Sequence, residues 1–182
     1  MFKSNLPDLI YAALFAAVIS VLGFISIPLP FSPVPVTGQT LGIMLAGSIL
    51  SARQAGLSVL VFILIGAAGV PVFAGSTGGI GILLGPRGGY LFGFLAGAIM
   101  IAWLRGKNPP VWRLVMANTA GGIGMVYLSG VLWLSAVTGM AWSKAVMVGA
   151  LPYIPGDVGK VLIAALIGSA VRRQLSKSGL SI

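Results

Sequence analysis

The sequence predicts an all-α integral membrane protein: one membrane domain over residues 1–182, with six transmembrane helices and structured outer loops. Three observations carry that expectation. The chain is 58% hydrophobic and only 7% charged, against about 25% charged in soluble domains. No charged residue occurs from Leu9 to Ala52, from Gln54 to Pro86, or from Leu114 to Ser143. Each run exceeds the roughly 20 apolar residues that cross a bilayer. The runs are punctuated by proline and glycine clusters, which separate them into discrete helices.

Helix one is expected over Asp8–Ser26, a retained first helix because its apolar run continues without a cleavage signal. Four prolines between Ile27 and Val36 exclude a helix there. Helix two follows over Thr37–Ala52, and helix three over Gln54–Gly69 after Arg53. A glycine-rich segment, Val70–Gly89, leads to helix four, Tyr90–Leu104. A turn at Arg105–Pro110 precedes helix five, Arg113–Trp133. The stretch Thr138–Pro155 holds a short interfacial helix, and helix six covers Asp157–Arg173. The two halves differ in proline and glycine placement, so no inverted repeat is expected.

Basic residues orient these helices. Lys3, Arg53, Arg105, Lys107, Arg113, Arg172, Arg173 and Lys177 fall on one side; Arg87, Lys144 and Lys160 fall on the other. By the positive-inside rule, both termini are cytoplasmic, which agrees with an even number of spans. The three long loops, with Arg87, Asp157 and Lys160, then face outward. A net charge of +9 spread over helix ends is an orientation signal, and no nucleic-acid partner is expected.

The outer loops carry the chemistry. Thr37, Gln39 and Thr40 follow a rigid proline stretch. Arg87 and Tyr90 sit in the motif Gly85–Tyr90. Asp157 and Lys160, three residues apart, share a helix face at the start of helix six. Each has a structural alternative. Asp157 suits a helix N-terminus, and Lys160 can simply pair with it. Arg87 can anchor to lipid headgroups, Tyr90 to the aromatic belt, and Thr37 and Gln39 can cap helix two. Their convergence on one face is what argues for a small-molecule pocket. Ala12, Ala13, Ala16 and Ala17 form small strips on helix one, suited either to an external helix or to internal packing.

Several reaction classes are excluded or disfavoured. There is no phosphate-binding Gly-x4-Gly-Lys-Ser/Thr loop and no carboxylate mid-helix for proton coupling. Without His or Cys, few catalytic sets remain, and no enzyme activity, metal or cofactor is expected.

Four segments in order, Pro33–Gly42, Gly69–Gly75, Gly85–Tyr90 and Tyr153–Lys160, resemble the BioY family. BioY proteins are the membrane-embedded biotin-binding S components of energy-coupling factor (ECF) transporters. The resemblance spans almost the whole chain. It implies biotin capture from outside, and association with a transmembrane T component and two cytoplasmic ATPases in the cell membrane. It places the ligand on Arg87, Asp157 and Lys160, and also on Thr37, Gln39 and Tyr90. It places the T component on Ala13 and Ala17, with Ala12 and Ala16 beside them. Residues Phe73–Thr77 lack an asparagine that some relatives carry, so its head-group hydrogen bond is expected either to come from Ser76 or Thr77 instead or to be absent. A stand-alone facilitator or channel remains an alternative, as does an S component for thiamine or riboflavin. The residues alone leave open which cation meets the biotin carboxylate.

Overall fold

The computed structural model describes residues 6–178; Lys3, counted above for orientation, lies outside them. The order is α1 (Leu6–Gly23), β1 (Ser26–Ile27), β2 (Val36–Thr37), α2 (Gln39–Ile49), α3 (Ala52–Ala67), α4 (Ile80–Leu84) and α5 (Gly88–Arg105). Then come α6 (Val111–Asn118), a π-helical turn (Thr119–Met125), α7 (Val126–Thr138), α8 (Trp142–Gly149) and α9 (Ile154–Lys177).

Four helical stretches are long and apolar enough to cross a membrane: Leu6–Gly23, Gly88–Arg105, Val111–Thr138 and Ile154–Lys177. The other two expected spans are shorter, Gln39–Ile49 and Ala52–Ala67, because side-chain and strand bonds consume their ends. Ser26 and Ile27 pair antiparallel with Thr37 and Val36. This pairing stops α1 at Gly23 and delays α2 to Gln39. Ser51 then accepts from the Gln54 amide while Gln54 accepts from the Ser51 amide. This capping box starts α3, so the break falls at Leu50–Ser51, and Arg53 lies inside the helix. Helix six begins at Ile154, before Asp157, with Pro155 in its first turn.

Helix α5 occupies the middle, packed against α2, α3 and α7; α1 lies on α3, and α9 on α2. The main core joins Ile19, Ile43, Phe62, Phe73, Phe94 and Val126. The helices approach closely where glycine permits: a Cβ on Gly97 would lie 2.5 Å from the Gly121 carbonyl oxygen.

The π turn serves the same packing. Asn118, Gly122, Val126, Gly130 and Leu134 are all buried. They recur at four-residue steps, which in an unbroken α-helix would carry the last about 160° round from the first. One extra residue in a turn recovers about 100° of that drift. The buried face therefore stays continuous along Val111–Thr138.

On α1, Ala12 and Ala16 are buried, together with Ile19 and Gly23. They belong to the packing of α1 on its neighbours, and this corrects their expected place on a partner surface. Ala13 and Ala17 are exposed.

Candidate functional site

Three connections gather at one end of the bundle and roof a cleft. The first is the proline segment between β1 and β2. Its Val34 carbonyl and Ser32 hydroxyl are both bonded by the Tyr153 hydroxyl. The second is the turn at residues 73–77, closed by paired Phe73 and Thr77 backbones. Phe73 is seated where Gly66 leaves room: a Cβ there would come within 2.2 Å of its ring. The third leads through α8 into α9. Arg87, just before α5, ties two of these segments together. Its Nε donates to the Pro33 carbonyl (3.0 Å) and its Nη1 to the Ala74 carbonyl (3.4 Å).

The cleft encloses about 580 Å³ of non-protein space, part of it open to the outside. Thr37, Gln39, Thr40, Arg87, Asp157 and Lys160 supply its polar groups. Val36, Phe73, Leu91, Phe94, Val126 and the rings of Tyr90, Tyr127 and Tyr153 supply its walls. Tyr127 stacks on Tyr153 with centroids 6.2 Å apart and meets Tyr90 edge-on at 6.4 Å. A few convergent polar groups in apolar, aromatic walls is the usual make-up of a small-molecule site.

Asp157 is 1% exposed and engaged through both oxygens. Its Oδ1 accepts from Lys160 Nζ (2.7 Å) and Thr40 Oγ1 (3.0 Å), and its Oδ2 from the Tyr127 hydroxyl. Lys160 Nζ also donates to the Thr37 carbonyl (2.6 Å) and Thr40 Oγ1 (2.9 Å). A buried charge is tolerated when paired and hydrogen-bonded in this way. Gln39 Nε2 donates to the Val72 carbonyl (3.1 Å), joining α2 to the second loop. The Tyr90 hydroxyl donates to the Gly149 carbonyl (2.8 Å), so Tyr90 offers the cleft its ring, not its hydroxyl. Burial pushes the Tyr153 hydroxyl above its ordinary value of 10.0, against the opposing influence of Ser32 and Arg87.

The cleft is thus lined by six of the expected ligand residues: Thr37, Gln39, Arg87, Tyr90, Asp157 and Lys160. Ser76 and Thr77 are not among its lining residues. Ser76 is exposed in a tight turn with φ +57°, and the Thr77 hydroxyl closes that turn on the Ala74 carbonyl (3.0 Å). Ala74 itself lines the cleft. Tyr127 and Thr40 complete the charge network. Thr40 stood beside Gln39 among the polar residues of the first outer loop. Tyr127 lies in the middle of an apolar run, and its sequence setting carries no signal.

The BioY family model matches residues 1–177. The chain belongs to the BioY family. Among its relatives is the biotin transporter BioY of Rhizobium etli, 41% identical over 90% of this chain and 92% of the relative. The biotin transporter BioY of Thermotoga maritima is 40% identical, covering 91% and 96%. A crystal structure of the S component for biotin from an ECF-type ABC transporter matches with a TM-score of 0.84. It is 30% identical and covers 94% of this chain and 95% of that one. A BioY chain with apolar helices able to span a bilayer is a membrane protein.

Proposed function

We propose that this BioY chain captures biotin at the cleft and carries it into the cell as the substrate-specific subunit of an ECF transporter. The observation that carries the reading is the joining, in one apolar cleft, of an engaged Asp157–Lys160 pair and an Arg87 with donors to spare. Biotin has a carboxylate at one end and a ureido ring at the other, separated by an apolar chain and thiophane ring. Lys160 has three N–H donors, and Asp157, Thr37 and Thr40 occupy its ammonium. Arg87 has five donors in a fork that suits a carboxylate, and two contacts hold it. Arg87 is therefore our assignment for the carboxylate. Asp157 has lone pairs left for a ureido N–H, with Lys160 fixing its charge. Thr37 and Gln39 border the same space, and Tyr90 stacks against the apolar body.

We further propose that six helical stretches cross the membrane, α2 and α3 being the short ones, with both termini cytoplasmic. The supporting asymmetry is in the charges. Arg87, Lys144 and Lys160 belong to the cleft end, whereas Arg53, Arg105, Lys107, Arg113, Arg172, Arg173 and Lys177 belong to the other. Exposed Ala13 and Ala17 are the proposed seat of the T component. Two ATPases supply the nucleotide chemistry for which this chain has no motif.

The test is calorimetric titration of the purified protein with biotin and with a biotin amide. Arg87→Ala should weaken biotin by roughly 2–5 kcal/mol and leave the weak amide binding unchanged. Equal biotin affinity in variant and wild type would remove Arg87 from the site. Failure of wild type to bind biotin, with binding of thiamine or riboflavin instead, would replace the substrate.

A further inference from the structure

The opposite end of the bundle has its own concavity. It lies between the last turns of α5 and α9, the loop at residues 106–110 and the start of α3, and holds about 2420 Å³ of non-protein space open to the outside. At its floor are Arg105 and Arg172, and on its rim Lys107, Arg173 and Lys177. The chain's two acidic side chains lie elsewhere: Asp8 is with Arg53 and Gln54, and Asp157 is in the cleft. No side-chain carboxylate therefore faces these five cations.

The floor is built. Arg105 is 4% exposed. It donates to the Gly47 carbonyl (2.9 Å), the Gly106 carbonyl (2.9 Å), the Ile49 carbonyl (3.4 Å) and the Leu50 carbonyl. Arg172 donates to the same Ile49 carbonyl (2.9 Å) and to the Lys107 carbonyl. Two guanidinium groups thus share one carbonyl oxygen, in a concave, largely apolar setting that focuses their field. Carbonyl dipoles hold them in place but leave their charge uncompensated. An anion fitted to guanidinium forks meets that need, and phosphate does so with paired hydrogen bonds.

The flanks decide the source of the phosphate. Trp103, 77% exposed, borders the basin with Ala102, Leu175 and Pro109. An exposed indole beside cations at the end of an apolar helix is the arrangement of a membrane–water interface. A free anion gains nothing from such a flank, whereas the glycerol and first methylenes of a lipid do. We infer that this basin binds the phosphate of an anionic glycerophospholipid, with Arg105 and Arg172 beneath it and Lys107, Arg173 and Lys177 around it. Basic pockets between membrane helices are known headgroup sites in general.

The test uses the full chain in detergent micelles, titrated with phosphatidylglycerol, phosphatidylcholine or inorganic phosphate and read by native mass spectrometry. One phosphatidylglycerol should be retained saturably, in preference to phosphatidylcholine. The rim is exposed, so the triple variant Lys107→Gln, Arg173→Gln, Lys177→Gln should fold. Each cation near an anionic surface contributes about a factor of five, so the variant should lose about a hundredfold in affinity. Lys144→Gln, at the cleft end, should bind as wild type does. Equal retention of both lipids, an unaffected triple variant, or a loss in Lys144→Gln as large as in the triple would each overturn the inference. Saturation by inorganic phosphate at the same concentration would assign the basin to a free anion. Rim-dependent capture of an oligoglutamate peptide without phosphatidylglycerol binding would assign it to a protein partner. Either result overturns the lipid assignment.

Discussion

At the cleft end, Lys160 has an acid for a partner, and every donor on its ammonium is directed by that pair and its neighbours. At the other end, Arg105 is more deeply buried than most of the polar groups around it. It has only carbonyl oxygens, among them those of Gly47, Ile49 and Leu50 at the end of α2. The carbonyl arrangement suits a helix C-terminus, where orphan acceptors and the negative end of the dipole receive a cation. It holds the cation in place and offers a ligand charge of one sign only. The acid-based arrangement costs more to bury but presents acceptor and donor together, which is what recognition of a molecule with both kinds of group requires. With two acidic side chains in the whole chain, the position of Asp157 sets apart the end whose charges are paired from the end whose charges are not.

That contrast can be broken experimentally. The largest expected effect is all-or-none. The chain has no native cysteine, and Ser143 and Ser178 are exposed. In intact cells an impermeant thiol reagent should label Ser143→Cys and spare Ser178→Cys. Labelling in the reverse pattern would turn the cleft toward the cytoplasm and end the capture model. Next comes Asp157→Ala. It strands a buried Lys160, and removing one partner of such a pair costs roughly 3–5 kcal/mol of stability. Thermal unfolding should shift downward, and biotin affinity measured by calorimetry on the folded fraction should fall as well; unchanged affinity would leave Asp157 a structural anchor for Lys160, Thr40 and Tyr127.

Arg105→Met probes the other end. Several buried carbonyls lose a donor, at about 1–3 kcal/mol for each group left unsatisfied. Thermal unfolding should shift downward while the folded fraction binds biotin as before. A fall in affinity without a fall in stability would contradict the division of labour between the ends. The smallest effect on binding, about zero, is expected for Ala13→Trp, because Ala13 faces outward from α1. ATP-driven biotin uptake by the assembled transporter should nevertheless drop as close helix approach is blocked. Loss of binding together with uptake would make the strip an internal packing surface.

The sequence showed the layout better than the fine structure. Long apolar runs and basic helix ends carry their own physical signal, so the helices and the clustering of Arg87, Asp157 and Lys160 were legible. Prolines between Ile27 and Val36 say only that a helix is forbidden; the pairing of Ser26 with Thr37 depends on where the chain returns. Ser76 and Thr77 looked like donors, but the φ of Ser76 and the bond from Thr77 to Ala74 turn them into loop closure. Ala12 and Ala16 differ from Ala13 and Ala17 by one position, about 100° of helix, and small residues alone do not say which face is inward. Tyr127 was invisible because an aromatic in an apolar run looks like any lipid-facing ring until its hydroxyl is seen on Asp157.

The turn at Thr119–Met125 makes the site sensitive to chain length as well as to composition. Because the turn already holds one residue more than an α-helical turn, removing one residue there would return it to α-helix and leave the direction of everything after it nearly unchanged. Tyr127 would stay on Asp157. Such a deletion variant should retain its helical circular-dichroism signal and its biotin affinity, whereas one residue inserted between Val126 and Tyr127 would carry the ring about 100° off the acid and lose biotin. For this stretch the informative comparison between relatives is where a one-residue gap falls, because the turn can absorb it and the α-helix after it cannot.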